Sequence, residues 1–126
     1  MQQRSPIASV RGLGAAREGV GHWKLQRLTA LANVPLVLWF VFSAMALSGS
    51  DYEAVRSWLS SPITASLMVM LIISLFTHAR LGVQVVIEDY VHHEGVKMAS
   101  LTALTLAVWA LGVACTVAVL KVAIGS

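Results

Sequence analysis

Long uninterrupted apolar runs dominate the pattern of hydrophobic and polar positions along the chain. Three such runs, of 20, 25 and 23 residues, cover Leu28–Leu47, Ile63–Ile87 and Met98–Leu120. The first and third contain no charged residue, and the second is interrupted only by His78 and Arg80. An α-helix needs about 20 apolar residues to cross the hydrocarbon core of a bilayer. The pattern therefore predicts an all-α membrane protein with three transmembrane helices.

The same pattern predicts how the chain is divided. A basic segment, residues 1–27, precedes a three-helix membrane domain, residues 28–124, whose helices are expected at about 28–48, 62–90 and 98–122. Between the first two helices, four apolar residues recur on one side of a helical period, which predicts a short amphipathic helix lying at the membrane surface. These four residues are Tyr52, Val55, Trp58 and Leu59.

Composition excludes several function classes. Of the 126 residues, 57% are hydrophobic and 12% are charged, whereas a soluble domain has about 25% charged residues. The net charge of +3 would suit nucleic acid, but five of the nine basic residues precede position 28 and no basic stripe follows, so no nucleic-acid partner is expected. The single cysteine, Cys115, excludes a disulfide framework and an Fe–S cluster held by this chain alone.

The distribution of basic residues predicts the orientation in the membrane. Lys and Arg concentrate in cytoplasmic segments of membrane proteins. Five of them precede the first helix and Lys97 lies between the second and third, whereas the other side has only Arg56 and Lys121. The N-terminus is therefore expected on the cytoplasmic side, or on the matrix side of a mitochondrial membrane. The five are Arg4, Arg11, Arg17, Lys24 and Arg27.

One histidine lies deep in the second predicted helix. His78 precedes Glu88, the next charged residue after Arg80, by ten residues, or about 15 Å along a helix, which is near the bilayer midplane. Ionisable residues at that depth are costly and commonly functional. His78 and Asp89 share one helical face, which passes through Gly82 and ends beside Tyr90. Gly82 removes a side chain where a flat cofactor could approach.

An imidazole at the midplane is a suitable axial ligand for haem iron. The alternative is a histidine that hydrogen-bonds a neighbouring helix as part of the packing. The other histidines, His22, His92 and His93, belong to the cytoplasmic edge, so a second axial ligand would have to come from another chain. Arg80 has two interpretations as well: an ion pair with a haem propionate, or an arginine that reaches the interface or pairs helices.

Two segments resemble a known family. The stretch from His78 to His92, with the sequence HARLGVQVVIEDYVH, resembles the signature of the succinate dehydrogenase cytochrome b small subunit, the hydrophobic membrane anchor or D subunit of respiratory complex II. Residues 21–30, GHWKLQRLTA, resemble the segment that precedes the first helix in that family. The three-helix layout extends the resemblance over essentially the whole chain.

The resemblance implies specific roles. Three helices would pack against a second cytochrome b anchor subunit, and the two chains would share one haem b with His78 as this chain's axial ligand. Asp89 and Tyr90 would form the acid–phenol pair of the ubiquinone site. Arg27 and His22 would lie near the haem propionates and the quinone.

The resemblance also implies partners. FAD and the Fe–S clusters would belong to a flavoprotein subunit and an Fe–S subunit, so this chain would be a membrane anchor of succinate:ubiquinone oxidoreductase without an active site of its own. A bacterial inner membrane is expected, rather than a mitochondrial one. Two alternatives remain open: an autonomous haem b membrane cytochrome, and a haem-free membrane scaffold with His78 as a packing residue.

Overall fold

The part of the chain that the structure describes forms four helices. A computed structural model describes the backbone of residues 15–125 and the side chains of residues 19–125. Its elements, in chain order, are α1 (Ala15–Leu47), α2 (Tyr52–Ser60), α3 (Pro62–Tyr90) and α4 (Glu94–Ile124). The described part of the chain contains no β-strand. Three helices, α1, α3 and α4, are long and apolar enough to cross a membrane, which confirms the predicted fold class.

The helix boundaries follow capping as well as hydropathy. The helix α3 covers residues 62–90, as predicted, with Pro62 in its first turn. The helix α4 begins at Glu94 rather than at about residue 98, because His93 caps it: Nδ1 of His93 accepts a hydrogen bond of 3.2 Å from the backbone N–H of Val96. The helix α1 begins at Ala15 rather than at about residue 28, so the second half of the predicted basic segment continues the first helix. Residues 1–14, with Arg4 and Arg11, lie outside the described part.

The predicted amphipathic helix exists as α2. Asp51 caps it, since its carboxylate accepts a hydrogen bond of 3.0 Å from the backbone N–H of Ala54. Trp58 stacks on Trp39 of α1 with ring centroids 5.6 Å apart. On the other side, the guanidinium of Arg56 donates a hydrogen bond of 3.5 Å to the carbonyl of Gly125, which follows α4. The helix α2 therefore contacts both α1, through Trp39, and the residue that follows α4.

Packing within the chain leaves most apolar surface uncovered. The helix α3 packs against α1 and against α4. The buried apolar residues within the described part are few: Leu36, Leu59, Leu71 and Leu81. None of the residues of α4 is buried, and Trp109 at its centre is 68% exposed. In water such exposure would be unfavourable, so these faces belong against lipid or against another apolar chain.

Candidate functional site

The contact between α1 and α3 is polar at its centre. The side-chain oxygen of Thr29 on α1 lies 3.2 Å from Nδ1 of His78 on α3. One turn earlier on α3, the hydroxyl of Ser74 donates a hydrogen bond of 3.3 Å to the backbone carbonyl of Thr29. Thr29 and Ser74 are buried, with 7% and 9% of their surfaces exposed, and His78 is half-buried. The structure therefore directs the histidine at the predicted midplane toward α1.

Thr29 is one member of a polar stripe on α1. His22, Gln26, Thr29 and Asn33 follow one another at spacings of four, three and four residues, which places them on one helical face. Within the described part of the chain, three buried atoms of this stripe have no hydrogen-bond partner: Nε2 of His22, Oε1 of Gln26 and Oδ1 of Asn33. Buried polar atoms are rarely left unpaired in complete assemblies. The stripe is therefore a second candidate functional feature beside His78.

Sequence reasoning missed most of this stripe. Of its four members only His22 was among the predicted site residues. The signal was present, because four polar residues at helical spacing in a largely apolar helix mark one of its faces.

Gly82 faces this stripe. A Cβ atom at Gly82 would lie 3.7 Å from Nε2 of Gln26, an ordinary van der Waals distance. The gap that the sequence suggested for a flat cofactor is therefore bordered by the Gln26 side chain of the same chain. A cofactor that contacted the backbone of Gly82 would have to displace Gln26.

We expect Gly82→Ala to be tolerated. The added methyl group meets Gln26 without a clash, and alanine favours a helix over glycine by about 1 kcal/mol. Thermal unfolding of the purified complex in detergent should show an equal or slightly higher midpoint, whereas Gly82→Leu should lower it by displacing Gln26. A Gly82→Ala complex that assembles but loses a bound cofactor would show instead that the cofactor lies against this glycine.

The last turn of α3 presents an acid beside a phenol. Tyr90 is the final residue of α3 and is 78% exposed, and Asp89 is also exposed. The neighbouring acid Glu88 is engaged, since its carboxylate accepts a hydrogen bond of 3.0 Å from the side-chain amide of Gln84. Asp89 and Tyr90 have no hydrogen-bonding side-chain partner in the described part. The structure thus leaves the predicted pair available to a ligand or to another chain.

The other predicted site residues are placed differently. His22 lies on the face of α1 that carries Thr29, toward the end of the bundle where α3 ends. Arg27 is exposed, and its guanidinium lies 5.2 Å from the ring centroid of Trp23. Arg80 lines a groove of about 390 Å³ between α3 and α4, among apolar residues that include Phe76. Neither arginine is brought together with His78 within this chain.

His78 fits the role of a single metal ligand. Among the described residues, no group of three or more His, Cys, Asp or Glu side chains could hold a metal ion. Nδ1 of His78 contacts Thr29, which leaves Nε2 as the nitrogen that a metal could bind. A neutral imidazole held in this way can supply one ligand to a metal ion whose remaining ligands come from another chain.

Comparison with known proteins identifies the family. A family model described as succinate dehydrogenase/fumarate reductase transmembrane subunit matches residues 1–119. The chain belongs to this family. The succinate dehydrogenase hydrophobic membrane anchor subunit of Rickettsia bellii is 38% identical over 88 residues, which are 70% of each chain.

More distant members of the succinate dehydrogenase anchor family match as well. The membrane anchor subunit of Reclinomonas americana is 32% identical over 88 residues, covering 68% of this chain and 73% of its own. The hydrophobic membrane anchor subunit of Paracoccus denitrificans is 24% identical over 126 residues, covering 100% and 97%.

Family membership confirms the resemblance found in the sequence. The chain is a succinate dehydrogenase membrane anchor, which makes it a multi-pass membrane protein and a subunit of an enzyme complex. Partner subunits follow from that role. The uncovered apolar faces of α1, α3 and α4 agree with this role, because an anchor subunit contacts both lipid and other subunits.

Proposed function

We propose that this anchor subunit supplies one axial ligand, His78, to a haem b that it shares with a second anchor subunit. We also propose that Tyr90 and Asp89 help to form the site where ubiquinone is reduced. The observation that carries the first part is the contact between His78 and the buried hydroxyl of Thr29, 3.2 Å apart. The exposed acid–phenol pair at the end of α3 supports the second.

The haem proposal depends on how His78 is held. Its Nδ1 is engaged by Thr29, so Nε2 is the nitrogen that can bind iron. The bound haem would supply one-electron chemistry between the soluble subunits and the membrane. The second axial ligand would come from the partner anchor subunit, because the other histidines of this chain, His22, His92 and His93, are expected at the cytoplasmic edge.

The residues proposed near the haem propionates fall into two groups. His22, whose buried Nε2 has no hydrogen-bond partner in the described part, and Arg27, which is exposed, both lie on the half of α1 that is nearer the end of α3. They are the residues that would meet propionates or quinone there. Arg80 lies against α4 with a buried, unpaired Nε. That position favours helix pairing as its role over an ion pair with a propionate.

The quinone proposal follows from the chemistry of the last turn of α3. Reduction of ubiquinone delivers two electrons and two protons to its carbonyl oxygens. The phenol of Tyr90 donates a hydrogen bond to one carbonyl while neutral, and Asp89 orients the phenol or passes protons from water. At a membrane boundary the isoprenoid tail stays in lipid while the head group reaches both residues.

The remaining redox groups would belong to partners. FAD would be carried by a flavoprotein subunit and the Fe–S clusters by an Fe–S subunit, both on the side where α3 ends. That side is proposed to be the cytoplasm, in agreement with the basic residues near it. The Rickettsia and Paracoccus relatives support a bacterial inner membrane as the location.

Purification of the whole complex tests this proposal. The chain, tagged and expressed in its own host, should copurify in mild detergent with a flavoprotein, an Fe–S protein and a second anchor chain identified by mass spectrometry. The reduced-minus-oxidised absorption spectrum should show a low-spin b-type haem. A haem-containing chain purified without partners would support the autonomous cytochrome instead, and a complete complex without haem would support the haem-free scaffold.

A further inference from the structure

We propose that Thr29 is a positioning residue for His78. Its side-chain oxygen accepts a hydrogen bond from Nδ1–H of the imidazole and thereby keeps Nε2 unprotonated and aimed away from α1. This inference rests on the proposed function, because it specifies how the haem ligand is prepared. Thr29 lies outside residues 78–92, the segment that resembles the family signature, and the evidence for its role is its own contacts.

The direction of the hydrogen bond follows from counting hydrogens. A threonine hydroxyl has one hydrogen and two lone pairs. The oxygen of Thr29 lies 2.9 Å from the carbonyl oxygen of Leu25 and 3.1 Å from that of Gln26, and both of these groups can only accept. The single hydrogen is therefore directed to the carbonyls of its own helix. A lone pair faces Nδ1 of His78 at 3.2 Å, so Nδ1 must carry the proton.

The surroundings of Thr29 keep this arrangement in place. The backbone carbonyl of Thr29 accepts a hydrogen bond of 3.3 Å from Ser74, one turn before His78 on α3. A branched side chain that bonds back to its own helix has few accessible rotamers. Thr29 is only 7% exposed, so water cannot readily replace it as the acceptor. The imidazole thus meets a fixed acceptor at a fixed height along α3.

A fixed acceptor on Nδ1–H has two effects on a metal-bound imidazole. It orients the ring, and it makes the imidazole a stronger donor toward iron. A stronger donor stabilises the oxidised haem more than the reduced haem. Removal of the acceptor should therefore weaken haem retention and raise the haem midpoint potential.

The test compares Thr29→Val with Thr29→Ser in the assembled complex. Valine has nearly the same shape without an acceptor, whereas serine retains the hydroxyl. We expect Thr29→Val to lose haem to excess apomyoglobin about tenfold faster, at the low end of the effect of losing an outer-shell partner. Its midpoint potential in a redox titration should rise, and Thr29→Ser should behave like the unaltered complex.

Ser74→Ala is the matched control. It removes the hydrogen bond to the Thr29 carbonyl at the same helix contact but leaves the Thr29 hydroxyl in place. It should lower the thermal stability of the complex and move the haem potential much less than Thr29→Val does, because the acceptor for the imidazole N–H remains. If Thr29→Val does not assemble, Thr29→Cys replaces it, because a thiol is a weak acceptor of similar size and should give a smaller shift in the same direction.

The outcomes separate the inference from the proposed function. An unchanged potential and haem retention in Thr29→Val, with loss of the low-spin haem in His78→Ala, would overturn the role of Thr29 and leave the ligand assignment intact. Equal shifts in Thr29→Val and Thr29→Ser would also overturn it, because serine keeps the acceptor. A low-spin haem that survives His78→Ala would remove both.

Discussion

The complex carrying His78→Ala is expected to lose its low-spin b-type haem signature completely. Low-spin haem requires two strong axial ligands, and His78 is the residue of this chain proposed to supply one of them. The other histidines of this chain, His22, His92 and His93, are expected at the cytoplasmic edge, so none of them should take its place. Absorption and electron paramagnetic resonance spectra of the purified complex should show either no haem or a high-spin haem.

Two further variants separate ligation from packing. Alanine also leaves the buried hydroxyl of Thr29 without its partner on α3, which costs about 1–3 kcal/mol. His78→Gln keeps a polar group near Thr29 but cannot replace the imidazole, so the complex should assemble and still lack the low-spin signature. His93→Ala removes only the cap of α4 and should leave the spectrum unchanged. An unaltered low-spin spectrum in His78→Gln would mean that the haem ligand lies in another chain.

The transmembrane helices were predictable because one effect, the transfer of apolar side chains from water into lipid, decides where they form. An apolar run of about 20 residues partitions into lipid as a helix, whatever its neighbours do. The ends of the helices were less predictable. They depend on local hydrogen bonds, such as the His93 cap that starts α4 at Glu94, and hydropathy contains no information about such caps. The helix α1 also extends further than hydropathy predicts, back to Ala15 through polar residues.

The helical face of the site was predictable from the sequence, but its contacts were not. Spacing along α3 puts His78 on the same face as Asp89. It does not say which residue of α1 meets that face, because the rotation and height of one helix against another depend on packing along their whole length. Thr29 as the partner of His78, and Gln26 beside Gly82, therefore required the structure.

Arg80 shows what helical spacing could have indicated. It lies two residues after His78, which is about 200° around the helix. A side chain on the opposite face cannot easily share a cofactor edge with His78, and the structure places it in the groove beside α4. The angular offset was available from the sequence, where it left both interpretations of Arg80 open.

The Tyr90→Phe complex is expected to reduce ubiquinone at about one tenth of the normal rate or less. The variant lacks the hydrogen bond to a carbonyl oxygen that gains charge in the transition state. Each loss of about 1.4 kcal/mol of transition-state stabilisation slows the reaction tenfold. Phenylalanine keeps the ring and removes only the hydroxyl. Succinate oxidation with a soluble artificial acceptor should continue at the normal rate, because the flavin and clusters are proposed to lie in partner subunits.

The controls for Tyr90 come from the same chain. Tyr52→Phe alters another exposed tyrosine, 62% exposed, which begins α2 on the side of the bundle where α3 starts, and it should leave both activities unchanged. Glu88→Gln changes an acid already bonded to Gln84, so Asp89→Asn should lower quinone reduction by more than Glu88→Gln does. If Asp89 relays protons, its variant should be as slow as Tyr90→Phe, and if it only orients the phenol the loss should be smaller. Normal quinone reduction in Tyr90→Phe would remove the phenol from the site, because no other change was made there.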